Sequence, residues 1–266
     1  DDVESRGLGD VYKRQILDLK NHILTVESGF QAIRITNADS NVTIKNGTIK
    51  GANANSGGVW YKRGAGIFCR YATLTIENMT ITENIAAGYG GGVYVSDGNF
   101  TAINSVISNN SGTTSGGGLS ITDSVVSIKN CEVSNNEQTA SYATRVGGIY
   151  VYESTVTADG LKVISNGKNS KAECGGICIT GMDSNVQLDN CLISGNYANS
   201  ESSNNVAGGI SIQNGNVTLN NTVIKDNIGY KCGGVGIWSS DTTLVMNSGA
   251  TVSYTHLRAH ETRRHL

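Results

Sequence analysis

Six times this chain returns to a pair of glycines followed by an alternating aliphatic run. The copies are Gly91-Gly92-Val93-Tyr94-Val95, Gly117-Gly118-Leu119-Ser120-Ile121, Gly147-Gly148-Ile149-Tyr150-Val151, Gly175-Gly176-Ile177-Cys178-Ile179, Gly208-Gly209-Ile210-Ser211-Ile212 and Gly233-Gly234-Val235-Gly236-Ile237. A weaker copy, Ala65-Gly66-Ile67-Phe68-Cys69, precedes them. Successive copies start 26, 26, 30, 28, 33 and 25 residues apart. A period in that range means stacked units that touch only their neighbours, not one compact core.

Within each unit apolar and polar residues alternate, which is the period of a strand. Val, Ile and Thr fill the runs, as suits a pleated surface. An asparagine column follows the glycine pair: Asn78, Asn104, Asn130, Asn190, Asn221 and Asn247, with Gly160 in one unit. A second column lies six residues further on, at Asn84, Asn110, Asn136, Asn166, Asn196 and Asn227. Nearly all the length variation falls between that second column and the next glycine pair. Constant strands with one adjustable corner describe a coil of three short strands. Stacked coils place equivalent strands in parallel, about 4.8 Å apart.

Two inward aliphatic ladders are expected. One runs Ile67, Val93, Leu119, Ile149, Ile177, Ile210, Val235, and the other Cys69, Val95, Ile121, Val151, Ile179, Ile212, Ile237. The asparagines are expected to form amide ladders that satisfy backbone groups left unpaired at the turns. The glycine pair marks a corner where a side chain would collide or where φ must be positive. An atypical unit, Gln31-Ala32-Ile33-Arg34-Ile35, comes earlier, and 16–26 adds one strand or two. The total is about eight rungs.

This pattern resembles the right-handed parallel β-helix group. Its Gly-Gly-Ile and Asn-based repeats are similar to those of polymorphic outer-membrane proteins and related bacterial surface adhesins. The resemblance covers 16–252 and implies an all-β fold, a right-handed single-stranded parallel β-helix of about eight three-strand coils. The segments 1–15 and 253–266 carry no repeat; both resemble translated sequencing-adapter read-through and are expected to be non-native or disordered tails. The chain has 266 residues, 34 glycines, no proline and a net charge of −2. That charge gives no reason to expect nucleic acid or an anionic membrane as partner. No apolar run approaches the roughly 20 residues of a membrane span.

The columns also bear on the six cysteines. Cys131 and Cys191 share a column with Leu161 between them; Cys174 and Cys232 share another with Ala207 between. Two rungs are about 9.6 Å at the strand spacing, beyond the roughly 7 Å between α-carbons that a disulfide spans. Free, largely buried thiols are expected.

Four places can carry chemistry. Asp97, Asp123 and Glu153 stand on consecutive rungs, and three carboxylates about 5 Å apart can hold calcium; the same residues equally suit the end of a strand, where they cap a turn. No other metal and no cofactor is expected. Asp159 and Asp189 form an outward pair at the separation of a retaining glycosidase, but nothing beside them supports acid–base work. Phe68, Tyr94, Tyr150, Tyr152 and Trp238 are expected on an outward aromatic face able to stack on sugar rings. Trp60, Tyr142 and Tyr197 lie in the variable corner, where arrays place binding insertions.

The motifs of β-helix hydrolases are absent. Asn-Thr-Asp, Asp-Asp and Gly-His-Gly segments do not occur in 16–252, where His22 is the one histidine. The resemblance to surface adhesins implies a segment of a secreted or surface-exposed bacterial β-solenoid that displays and binds glycans or host surface molecules. A polysaccharide lyase or hydrolase with its catalytic part elsewhere is the alternative, and a purely structural stalk the third.

Overall fold

The computed structural model describes residues 14–26, 29–139, 146–168, 172–201 and 205–256. The two expected tails fall largely outside them, as does Tyr142. Nearly all regular structure is parallel strand, with one 3-10 turn at Val59–Lys62. No helix among the described residues is long and apolar enough to cross a membrane.

Each rung begins on an eight-stranded sheet built from the glycine-pair runs, Ile33–Ile35 through Val235–Ile237. Leu119 pairs with Val93 on one side and with Ile149 on the other. Both aliphatic ladders are in register as expected, and they are buried through Ile212. The chain then crosses to a seventeen-stranded sheet that forms the other two faces. Two of its strands, Asn41–Lys50 and Thr73–Thr82, run unbroken across the bend between those faces. A short four-stranded sheet lies beyond the second asparagine column. Pairing extends from Arg14, against Asn41, to His256, against Gly229. It reaches past residues 16 and 252 because backbone pairing does not require the repeat's side chains.

The first asparagine column is the bend itself. Asn46, Asn78, Asn104, Asn130, Asn190 and Asn221 all have φ between 46° and 56°, and Gly160 has φ 67°. Asparagine tolerates this left-handed region better than other residues with a Cβ. Asn247 does not belong to the column. Gly249, with φ 80°, stacks over Asn221 instead, and the Asn247 amide donates to Asn220 Oδ1. Strand register overrides the sequence spacing here, since Met246 aligns with Leu219 and Thr251 with Val223.

The second column is buried and continuous. Asn110 Oδ1 accepts from the backbone N–H and the side-chain amide of Asn84, both at 3.0 Å. Asn136 Oδ1 does the same for Asn110, at 2.9 and 3.1 Å. Each amide also donates across the rung to a backbone carbonyl: Asn110 to Ile81, Asn136 to Ile107, Asn166 to Val133 and Asn196 to Val163. An apolar residue in this column would leave those groups unpaired.

The corner glycines divide the work. Gly64, Gly90 and Gly116, just before the pair, have φ of 57°, 62° and 64°. The second glycine of the pair is needed for space. A Cβ on Gly118 would meet Asn136 Nδ2 at 2.7 Å, and one on Gly66 would meet the Gly92 carbonyl at 2.5 Å.

All six cysteines are free, and all but the partly exposed Cys232 are buried. Cys174 bridges to Ala207, which bridges to Cys232. Leu161 stands between the Cys131 and Cys191 rungs, taking up Leu192 N–H as Cys131 takes up Lys162 N–H.

Candidate functional site

The expected open aromatic face is covered. Phe68 is 0 % and Tyr94 1 % exposed. Their side chains do leave the solenoid core outward, but the variable corner folds back across that side of the eight-stranded sheet. The Phe68 and Tyr94 rings stack at 5.4 Å between centroids. Trp60, from the 3-10 turn, meets Phe68 edge-on at 6.4 Å. Tyr89 lies 6.3 Å from both Tyr94 and Tyr150. It spans the rung between those two, where the column holds only Ser120. Ser120 is buried and its Oγ has no hydrogen-bond partner. These rings form a second, outer core, and Phe68 and Tyr94 present no surface to a ligand.

The same cover creates an outer surface of its own. Arg63 packs over the rings of Trp60 at 4.4 Å and Tyr89 at 4.6 Å, and donates to the Tyr94 hydroxyl at 2.8 Å. Arg34 lies over Phe68 at 4.4 Å and over Tyr61 at 4.5 Å. Arg70 lies over Trp60 at 3.9 Å and over Tyr71 at 4.2 Å. Cation–π contact and the flat fork of a guanidinium favour this stacking. The result is a continuous row of alternating rings and guanidinium groups. Trp60 is 37 %, Tyr61 51 % and Tyr71 45 % exposed.

Tyr71 is the unusual member. Its φ is 64°, a region where a bulky residue is an outlier costing on the order of 1–3 kcal/mol. Its column continues through Asp97, Asp123, Glu153 and Gly181, all left-handed as well. Asp and Gly suit that conformation, whereas tyrosine does not. Tyr71 is the one aromatic residue among the described residues with a positive φ.

The acidic column lines one open surface hollow together with Asp183, but its carboxylates are engaged differently. Asp97 accepts from the Ser96 hydroxyl at 2.6 Å and pairs with Arg70 Nε at 3.1 Å. Glu153 turns the other way, to the Asp183 N–H at 3.1 Å. Among the described residues no three His, Cys, Asp or Glu side chains group tightly enough to hold a metal ion. Asp97, Asp123 and Glu153 also hold the left-handed positions of their turns. Desolvation, then Asp97 and Glu153, raise the Asp123 carboxyl above its ordinary pKa.

Asp159 and Asp189 do stand side by side on adjacent strands. Each carboxylate is bound by amides, Asp159 by Asn190 at 2.8 Å and Asp189 by Gln187 at 2.8 Å and by Asn220. They continue the outer amide ladder.

The remaining expected residues lie apart from the ring row. Trp238 folds back over Gly236 and donates from Nε1 to Ser211 Oγ at 2.9 Å, closing the last rungs of the outward column. Tyr152 is exposed at the end of its strand. Tyr197 pairs through its backbone with Ile228 in the variable corner and makes no ring contact among the described residues. Tyr71 was not singled out by the sequence. Its signal was a tyrosine standing in a column of Asp, Glu and Gly.

Residues 65–252 match the family model described as "Right handed beta helix region". No curated protein matches the chain, and no solved structure does.

Proposed function

Because the chain belongs to the right handed beta helix region family, its rungs are a rigid ladder for displaying surface residues, and we propose that it acts as a secreted or cell-surface bacterial display scaffold that binds glycans. The proposed binding surface is the row formed by Tyr61, Arg34, Trp60, Arg70 and Tyr71. The observation that carries this reading is the strained, half-exposed Tyr71 ring beside Arg70. A tyrosine ring offers an apolar face for the C–H side of a sugar and a hydroxyl at its rim. Ring and guanidinium are already packed together, so little freedom is lost on binding.

The test is a glycan array probed with the parent chain and with Tyr61→Ala and Tyr71→Ala. Binding that is present in the parent and lost in both variants supports the reading. A blank array for the parent leaves the structural stalk.

A further inference from the structure

The ring row also holds a local excess of positive charge. The chain as a whole carries −2, yet Arg34, Arg63 and Arg70 all lie against this one cluster of rings. Among the described residues the ion pairs are Lys45–Asp18, Lys50–Glu83, Arg70–Asp97 and Lys225–Asp226. Neither Arg34 nor Arg63 has a carboxylate partner among the described residues. Arg34 donates to neutral acceptors, Gln31 Oε1 at 3.0 Å and the Trp60 carbonyl at 3.4 Å, and the residue is exposed. A guanidinium fixed on a ring face is a preorganised fork for an oxyanion. A neutral sugar offers it only uncharged hydroxyl acceptors, without the added strength of a charge-assisted bond.

We propose that the row selects sugars carrying an anionic group, a uronate or sialate carboxylate or a sulfate. The glycan lies along the row from Tyr61 to Tyr71, and its acid accepts hydrogen bonds from Arg34, since Arg70 is already paired with Asp97. This rests on the glycan-binding reading of the same surface.

The experiment prints neutral oligosaccharides beside carboxylated and sulfated forms of the same backbones, for example cello-oligosaccharides, cellouronates and sulfated cello-oligosaccharides, together with sialylated glycans. Binding is expected on the acidic members and to weaken with added salt. Carboxylated and sulfated arms separate the two sources of charge. Arg34→Gln is expected to weaken acidic-glycan binding about tenfold or more, the worth of one charge-assisted hydrogen bond, while Arg34→Lys retains part of it. Tyr71→Gly is the fold control. It relieves the left-handed backbone, so the melting temperature should hold or rise while acidic-glycan binding is lost. Equal binding of neutral and acidic forms overturns the anionic selection and leaves the glycan reading standing, as does an Arg34→Gln variant that binds like the parent. A blank array overturns both.

Discussion

A Cβ on Gly92 would stand 2.9 Å from the side-chain amide of Asn110. The same hypothetical atom meets the Gly118 carbonyl at 2.7 Å and Ile107 Cγ2 at 2.8 Å. The glycine column is bare because the buried amide ladder runs directly against it. The two strongest motifs of the repeat are therefore one packing unit, repeated on each glycine-pair rung from Gly92 to Gly209.

Gly92→Ala is expected to destabilise the chain by about 1–3 kcal/mol, the usual cost of forcing an extra carbon into a filled site. Gly58→Ala is the control. Gly58 has φ −72° and nothing within 4 Å of the new carbon, so its denaturation midpoint should match the parent's. Equal midpoints for the two variants would contradict the packing account.

Asn136→Ala removes the acceptor for the Asn110 backbone N–H at 2.9 Å and the donor to the Ile107 carbonyl at 2.9 Å. Each buried group left unpaired costs about 1–3 kcal/mol. A loss of several kcal/mol in urea denaturation is expected. Asn130→Gly, at an exposed left-handed bend with φ 51°, should cost far less. A small effect at Asn136 would mean that water replaces the amide.

Burial pushes the Cys69 and Cys178 thiols up to about 12 and Cys191 to about 11. The thiolate is the reactive form, so these three should resist a thiol reagent at pH 8 in the folded chain. After unfolding without reductant, mass spectrometry should find all six labelled. A missing label would reveal a disulfide that the two-rung spacing forbids.

The raised Asp123 pKa makes a prediction about pH. The folded chain holds that proton more tightly than the unfolded chain. Stability therefore falls as pH rises from the ordinary aspartate value to the raised folded value, and the penalty persists above it. Asp123→Asn removes the charge and keeps a residue that tolerates φ 47°. Thermal melts should show the variant more stable than the parent at pH 7, with the gap closing as pH falls through that window. A less stable variant at pH 7 would show that the Asp123 charge is favourable.

Much of the fold was legible because the repeat exposes its own columns. Val93, Leu119 and Ile149 align from spacing alone, since a stacked coil puts equal positions over one another. The buried amide ladder of Asn84 to Asn227 follows from the same spacing. Asn247 was misplaced because the column positions at the last rung shift, and only strand register shows that Gly249 takes the bend.

The aromatic residues were legible as residues but not as a site. Alternation correctly sends Phe68 and Tyr94 out of the solenoid core. It carries no information about the corner that lies over them. Arg34, Trp60 and Arg70 come from three separate stretches, and no spacing rule links them.

From its sequence alone this chain is a stack of parallel rungs, because a period of two inside a period of about 26 has few other ways to bury its apolar side. Whether an outward ring meets solvent was left to the tertiary structure. Length-variable corners carry no period, and their path over the eight-stranded sheet is decided by long-range packing of rings against guanidinium groups. That packing hides Phe68 and leaves Tyr61 and Tyr71 in the open.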